Sequence, residues 1–430
     1  VETPEPPPPV ADVRFVVNLP AVLLWGADDR GREPDASDEL REYVRLSRTW
    51  TTPEYLSCRW SSEDLDSFWR CAEPLIPEEH RALVGSVLND VAESVRPTWN
   101  RMRASLRWLA IMLADFLERQ DARRILEEVR AFSGPHVFDD PIRVPLVPHG
   151  LAGSGRRPHV WGFANADRAV LIEIPGLPAT QYFATFVHEL VHMAHDRAED
   201  EVRALENALG GYGPVGIIAA TRWDEATAHA FEVRGGRSFN LAAYEGLPYG
   251  DASVQALSER LQARMEEGPL PPVGEGLAPL LAQETRLARP PDSWVLTDFT
   301  WRLVVFSDTP SAVSALGHSH RFVRDLRRAS LDGDANAIPA HHSAMVLATA
   351  DELAAHPQLA RALGALPLED ELGPGEVRAQ VTRLTNGAIA ILLAGLGEEE
   401  LAAGATHVAA HHREMALPPP GWHVMIAPRE

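Results

Sequence analysis

The chain has 430 residues, 45% of them hydrophobic and 23% charged, with a formal net charge of -21 at pH 7. Those fractions exclude a disordered or collagen-like chain and supply more apolar surface than one core needs, so two or three domains are expected. So acidic a surface repels phosphate backbones and anionic lipid, which weighs against nucleic acid as a partner.

The opening VETPEPPPPV favours stiff polyproline II, so residues 1–12 read as a proline-rich leader. It fits the exit from a membrane tether, or from a removed signal peptide, upstream of residue 1. Residues 14–25, RFVVNLPAVLLW, read as a buried strand interrupted at Pro20. Helical patterns follow over 37–49, 78–95, 99–120 and 122–132, the third with Met102, Leu106, Leu109, Met112, Leu113 and Phe116 at helical spacing. Residues 13–135 are thus expected to be a mostly helical region. Its two cysteines, Cys58 and Cys71, are too few for a disulfide framework and lack the partners of a structural zinc site; one bridge or two buried thiols both remain open. All 40 basic side chains are arginine. That fits a GC-rich coding sequence or selection against lysine as a site of cleavage or modification.

Prolines and glycines break residues 133–154. Short strands are expected at 159–163 and 169–174, a helix at 180–198, and after the GGYGP break at 210–214 two more helices at 217–233 and 253–267. Residues 136–267 form one region, and 268–295 read as a linker around a short helix. Beyond it, strands are expected at 301–306, 344–349, 377–384, 388–393 and 424–426, with helices at 312–328, 351–363 and 398–413. The order βαββαβ from residue 344, with Asn386-Gly387 as the hairpin turn, predicts a ferredoxin-like α/β domain within 296–430. The fold class is α+β. The longest uncharged apolar run, GAIAILLAGLG at 387–397, falls short of the roughly 20 residues a bilayer crossing takes.

Chemistry concentrates in FVHELVHMAHD, residues 186–196. Histidines four apart on a helix point the same way, because four residues advance about 400° and about 6 Å. His188 and His192 can therefore share one metal ion, while Glu189 can reach a water on the ion's open side and act as general base. Phe183, Phe186, Val187, Leu190, Val191 and Ala194 are apolar around most of this helix. Histidines in such surroundings need partners, and a metal supplies one. His195, about 10 Å along the axis from His188, is too distant to share the ion and reads as a rim or supporting residue. The adjacent pairs His341-His342 and His411-His412 diverge on any regular element and read as loop or surface residues. GYGPVG at 211–216 spells GxGxxG but follows a helix, which makes it an interhelical turn.

HELVH on a helix preceded by a strand resembles the zincin metallopeptidases. The resemblance implies a zincin-like core within 136–267, bound Zn2+, a peptide or protein substrate, and strand 169–174 as the edge of the cleft where an extended substrate pairs. The metzincin continuation is absent, since His195 and Ala198 stand in its places. The gluzincin type instead takes its third ligand from a following helix. WDEATAHAFE, residues 223–232, supplies Glu225, with Glu199, Glu201, Glu206 and Glu232 as less suitable alternatives. Asp196 matches the aspartate that supports a ligating histidine in thermolysin-like sequences. A second-shell or oxyanion role falls to His229, or to Tyr212, Tyr244 or Tyr249. The expected function is zinc-dependent peptide hydrolysis in the cell envelope or outside the cell. The competing expectation is an inactive binding or scaffold protein of zincin shape acting through its C-terminal domain.

Overall fold

A computed structural model of the chain describes residues 12–30, 36–50, 52–148, 162–165, 168–173, 178–238, 252–274, 276–288, 296, 302–317, 325–339, 342–365, 372, 375–411 and 423–426. Residues 1–11 of the expected leader, Tyr244 and Tyr249 lie outside them.

The chain opens with β1 (Val13–Val16) and then α1 (Leu19–Arg30). The expected long strand is therefore mostly helix, with Pro20 in the first turn, where its missing N–H is no loss. Next come α2 (Asp38–Trp50), α3 (Pro53–Ser61) and α4 (Leu65–Ala72). The side chain of Asp64 caps α4 by accepting from Ser67 N, and a disulfide joins Cys58 of α3 to Cys71 of α4. The two helices expected over 78–95 and 99–120 are one 40-residue helix, α5 (Glu78–Leu117), with Pro97 inside it. Val95 and Trp99 are both buried around that proline; tertiary packing outweighs the hydrogen bond it removes. The helix α6 (Gln120–Ser133) follows, then β2 (Ile142–Pro148), β3 (Gly162–Asn165) and β4 (Arg168–Glu173).

These strands make a four-stranded sheet in the order β1-β2-β4-β3, parallel except for β3, which runs antiparallel to β4. The edge next to the site is thus β3; β4, expected to be that edge, is an inner strand. Four helices come next: α7 (Ala179–Arg197), α8 (Glu199–Gly210), α9 (Pro214–Ser238) and α10 (Ala252–Glu267), followed by α11 (Leu277–Ala288). Glu284 of α11, fully buried, is held by Arg260 and Arg264 of α10.

The remaining elements are β5 (Arg302–Phe306), α12 (Pro310–Gly317), β6 (Asp325–Ala329), β7 (Ser343–Thr349), α13 (Ala350–Ala355), α14 (Pro357–Leu363), β8 (Val377–Arg383), β9 (Ile389–Gly395), α15 (Glu398–His411) and β10 (His423–Ile426). The βαββαβ order runs from β7 to β10, and Gly387 takes the positive φ of +88° at the β8–β9 turn. The sheet, however, has six strands in the order β10-β8-β9-β7-β5-β6. β10 pairs with β8, and β5 and β6 extend the sheet beyond β7, so a four-stranded ferredoxin-like sheet is not what forms. Side chains alternate between two cores. Leu303, Val305, Met345 and Leu347 face α12 and α15 on one side, and Val304, Phe306, Val346 and Ala348 face α13 and α14 on the other.

The fold is α+β and groups into two compact units. One holds Val1–Ala198 with Ala228–Leu247, the other Glu199–Thr227 with Pro248–Glu430, and the division passes through the uninterrupted helix α9. Among the described residues, no helix is long and apolar enough to cross a membrane.

Candidate metal centre

Helix α7 is buried almost all round. Phe183, Phe186, Val187, Leu190, Val191 and Ala194 are each no more than 1% exposed, and burying side chains as large as Phe or Leu stabilises the fold by roughly 2 kcal/mol each. That packing fixes the helix rotation, and with it the direction of the polar residues His188, Glu189 and His192. The two imidazoles lie with ring centroids 4.9 Å apart, and their Nε2 atoms are 3.1 Å from each other. Two nitrogens on one tetrahedral zinc would lie about 3.3 Å apart, given Zn–N bonds of about 2.05 Å.

The third group comes from α9. This helix begins at the proline of GGYGP, directly after Gly213 at φ +73°. Gly216 lies so close to α8 that a Cβ there would fall 1.6 Å from the Leu209 carbonyl oxygen, so no other residue fits. Three turns into α9, buried Glu225 brings a carboxylate oxygen into a group with one nitrogen each of His188 and His192, all within 4.8 Å of one another. Imidazole and carboxylate donors converging at that spacing can hold one metal ion. His188 and His192 are half-buried, which leaves the centre a path to solvent.

Two further turns along α9, Glu232, 2% exposed, meets His188 Nδ1 at 3.1 Å. A carboxylate only accepts, so Nδ1 carries the proton and donates to Glu232. The Nε2 lone pair is then directed toward His192, and the ring is fixed in the tautomer a metal needs. Glu189, 6% exposed, lies against Gly162 of β3. A Cβ at Gly162 would fall 2.8 Å from Glu189 Cγ and 2.9 Å from its Oε1, so a bare backbone at this strand position is what gives the glutamate its room.

No family model matches this chain, and no curated protein or solved structure matches it either. The candidate metal centre rests on its geometry alone.

The alternative glutamates are accounted for elsewhere. Glu206 pairs with Arg302, Glu199 bonds Arg203 at 2.7 Å, and Glu201 is exposed on α8. Asp196 is exposed near the end of α7, whereas the carboxylate on His188 is Glu232. Sequence spacing ranked Glu232 as a weaker ligand. The residue's place on the α9 face that carries Glu225, seven positions on, was the signal for a supporting role. His229 is fully buried one turn beyond Glu225, and Tyr212 is 45% exposed at the turn before α9. His195 is not at a rim: it is buried edge-on to Phe132, with ring centroids 5.8 Å apart. Burial, with nearby His192 adding to it, holds its imidazole well below the usual histidine range. Of the paired histidines, His342 is buried and His411 exposed, while His341 and His412 lie outside the described residues.

Proposed function

We propose that this chain is a zinc-dependent metallopeptidase of gluzincin type, with His188, His192 and Glu225 as ligands and Glu189 as general base. The observation that carries the reading is the 3.1 Å approach of the two Nε2 atoms with the Glu225 carboxylate beside them. Two imidazoles and one carboxylate suit zinc and leave a fourth position for a small molecule. Zinc, when bound, supplies Lewis-acid polarisation of a peptide carbonyl and lowers the pKa of water to about 7. Glu189 accepts the proton of the attacking water and returns it to the departing amine. Glu232 keeps His188 in one tautomer and one orientation.

Strand β3 supports a peptide as substrate. It is the edge of its sheet among the described residues, so an extended segment can add beside it through main-chain hydrogen bonds. Gly162 on this strand adjoins Glu189, which brings such a segment near the base. The Cys58–Cys71 bridge supports a life in an oxidising compartment, in keeping with the cell envelope or the exterior.

Elemental analysis combined with hydrolysis of a peptide library tests the reading. The expected result is about one zinc per chain, with Glu189→Gln keeping the metal and losing activity by on the order of a thousandfold. A chain that binds no transition metal, or a Glu189→Gln variant as active as the parent, overturns the assignment in favour of a scaffold.

A further inference from the structure

One face of α5 suits neither a core nor the acidic surface of the chain as a whole. From residue 94 to residue 114 the helix carries Arg96, Arg101, Arg103 and Arg107 and no carboxylate, in a chain whose net charge is -21. All four arginines are exposed. Among the described residues none of them forms an ion pair; Arg101 alone reaches a side chain, Thr98 Oγ1, at 3.5 Å. Several arginines elsewhere are paired with acids, as in Arg45 with Glu42, Arg203 with Glu199 and Arg234 with Glu128.

The same face carries Trp108 and Ile111, exposed by 61% and 69%. At 100° per residue, Ala104, Trp108 and Ile111 fall within about 60° of arc, with Arg101 on one flank and Arg96, Arg103 and Arg107 on the other. Asp115, one turn beyond Ile111, ends the stripe, which is about 22 Å long.

We propose that this face of α5 docks on an anionic phospholipid surface. Trp108 and Ile111 enter the interfacial layer, where an indole finds both apolar contact and a hydrogen-bond acceptor. The arginine stems cover the flanks while their guanidinium groups meet lipid phosphates as two-pronged donors. Each arginine near such a surface strengthens the partition about fivefold. The acidity of the rest of the chain does not cancel this, because charges farther than about 8 Å from the membrane are screened at physiological salt. A convex stripe with two large apolar residues falls well short of the roughly 800 Å² per partner of a stable protein complex. A bilayer deforms around such a stripe and accepts it.

Co-sedimentation of the full chain with vesicles tests the proposal, using phosphatidylcholine mixed with phosphatidylglycerol against phosphatidylcholine alone. The chain is expected to pellet with the mixed vesicles and not with the neutral ones. The double variant Arg101→Glu/Arg107→Glu should weaken that partition by about twentyfold or more, and Trp108→Ala/Ile111→Ala should weaken it at an unchanged melting temperature. No binding to the mixed vesicles overturns the proposal, as does binding that neither double variant alters. Light scattering guards the other side: a dimer that the same variants dissociate, in a chain that ignores vesicles, makes a second copy the occupant and ends the lipid reading.

Discussion

Helices α7 and α5 belong to one compact unit and touch where Phe183 stacks on Phe116, yet they treat polar side chains in opposite ways. On α7 the polar groups are enclosed: Glu189 and His195 are buried, and His188 and His192 are half-buried against α9. A polar group held away from water must find a partner or destabilise the fold. The neighbours of α7 have accordingly become a carboxylate pair, Glu225 and Glu232, and a glycine, Gly162. On α5, Arg96, Arg101, Arg103 and Arg107 stand in water and form no ion pair among the described residues, at little cost to stability. The lesson is where to look for meaning: in an enclosed helix it lies in how groups match one another, and in an exposed one it lies in what they fail to match.

Three substitutions around α7 sharpen this contrast. The largest effect is expected from Gly162→Ala, whose new methyl must displace the Glu189 side chain; kcat should fall on the order of a hundredfold at unchanged metal content. Steady-state kinetics beside elemental analysis reads both, and an unaltered kcat would mean the strand yields instead. Next is Glu232→Gln, which keeps the shape and removes the charge from His188. Metal affinity should weaken by about tenfold to a hundredfold, measured by competition with a chromophoric chelator. An unchanged affinity would reduce Glu232 to a packing residue.

The smallest effect concerns His195. Its imidazole stays neutral in the fold, held below the ordinary value of 6.5, while in the unfolded chain it takes up a proton once the pH falls below that value. Stability is therefore whole above about pH 6.5 and declines as the pH drops toward the depressed folded pKa, with a slope of up to about 1.4 kcal/mol per pH unit. Urea unfolding of His195→Leu should show that much less acid sensitivity, whereas Arg103→Ala on α5 should leave the curve within about 0.5 kcal/mol of the parent.

How much of this could be read beforehand depended on whether local pattern and tertiary packing agreed. They agree on α7, where apolar residues at helical spacing surround HELVH, and at Asn386-Gly387, where turn chemistry and strand pairing coincide. They disagree at β2, whose Pro145 and Pro148 suggest a loop although the strand is paired on both sides. At α1 an apolar run of strand-like length folds as helix, since such runs do not distinguish the two states by periodicity. β6, DLRRA, falls at the end of the helix expected over 312–328; it has too little apolar character to announce a strand and exists because β5 offers it an edge. In the candidate site, the residue types and spacing of His188, Glu189 and His192 were legible. The grip of Glu232 on His188 was not, because two glutamates on one helical face look alike until the neighbouring ring is seen.

The bridge between Cys58 and Cys71 spans 13 positions and closes a small ring that holds the end of α3 and nearly all of α4. A single backbone cut inside that ring, by another hydrolase or by a sister molecule, would release no fragment. The severed ends would still migrate as one species until a reductant parted them.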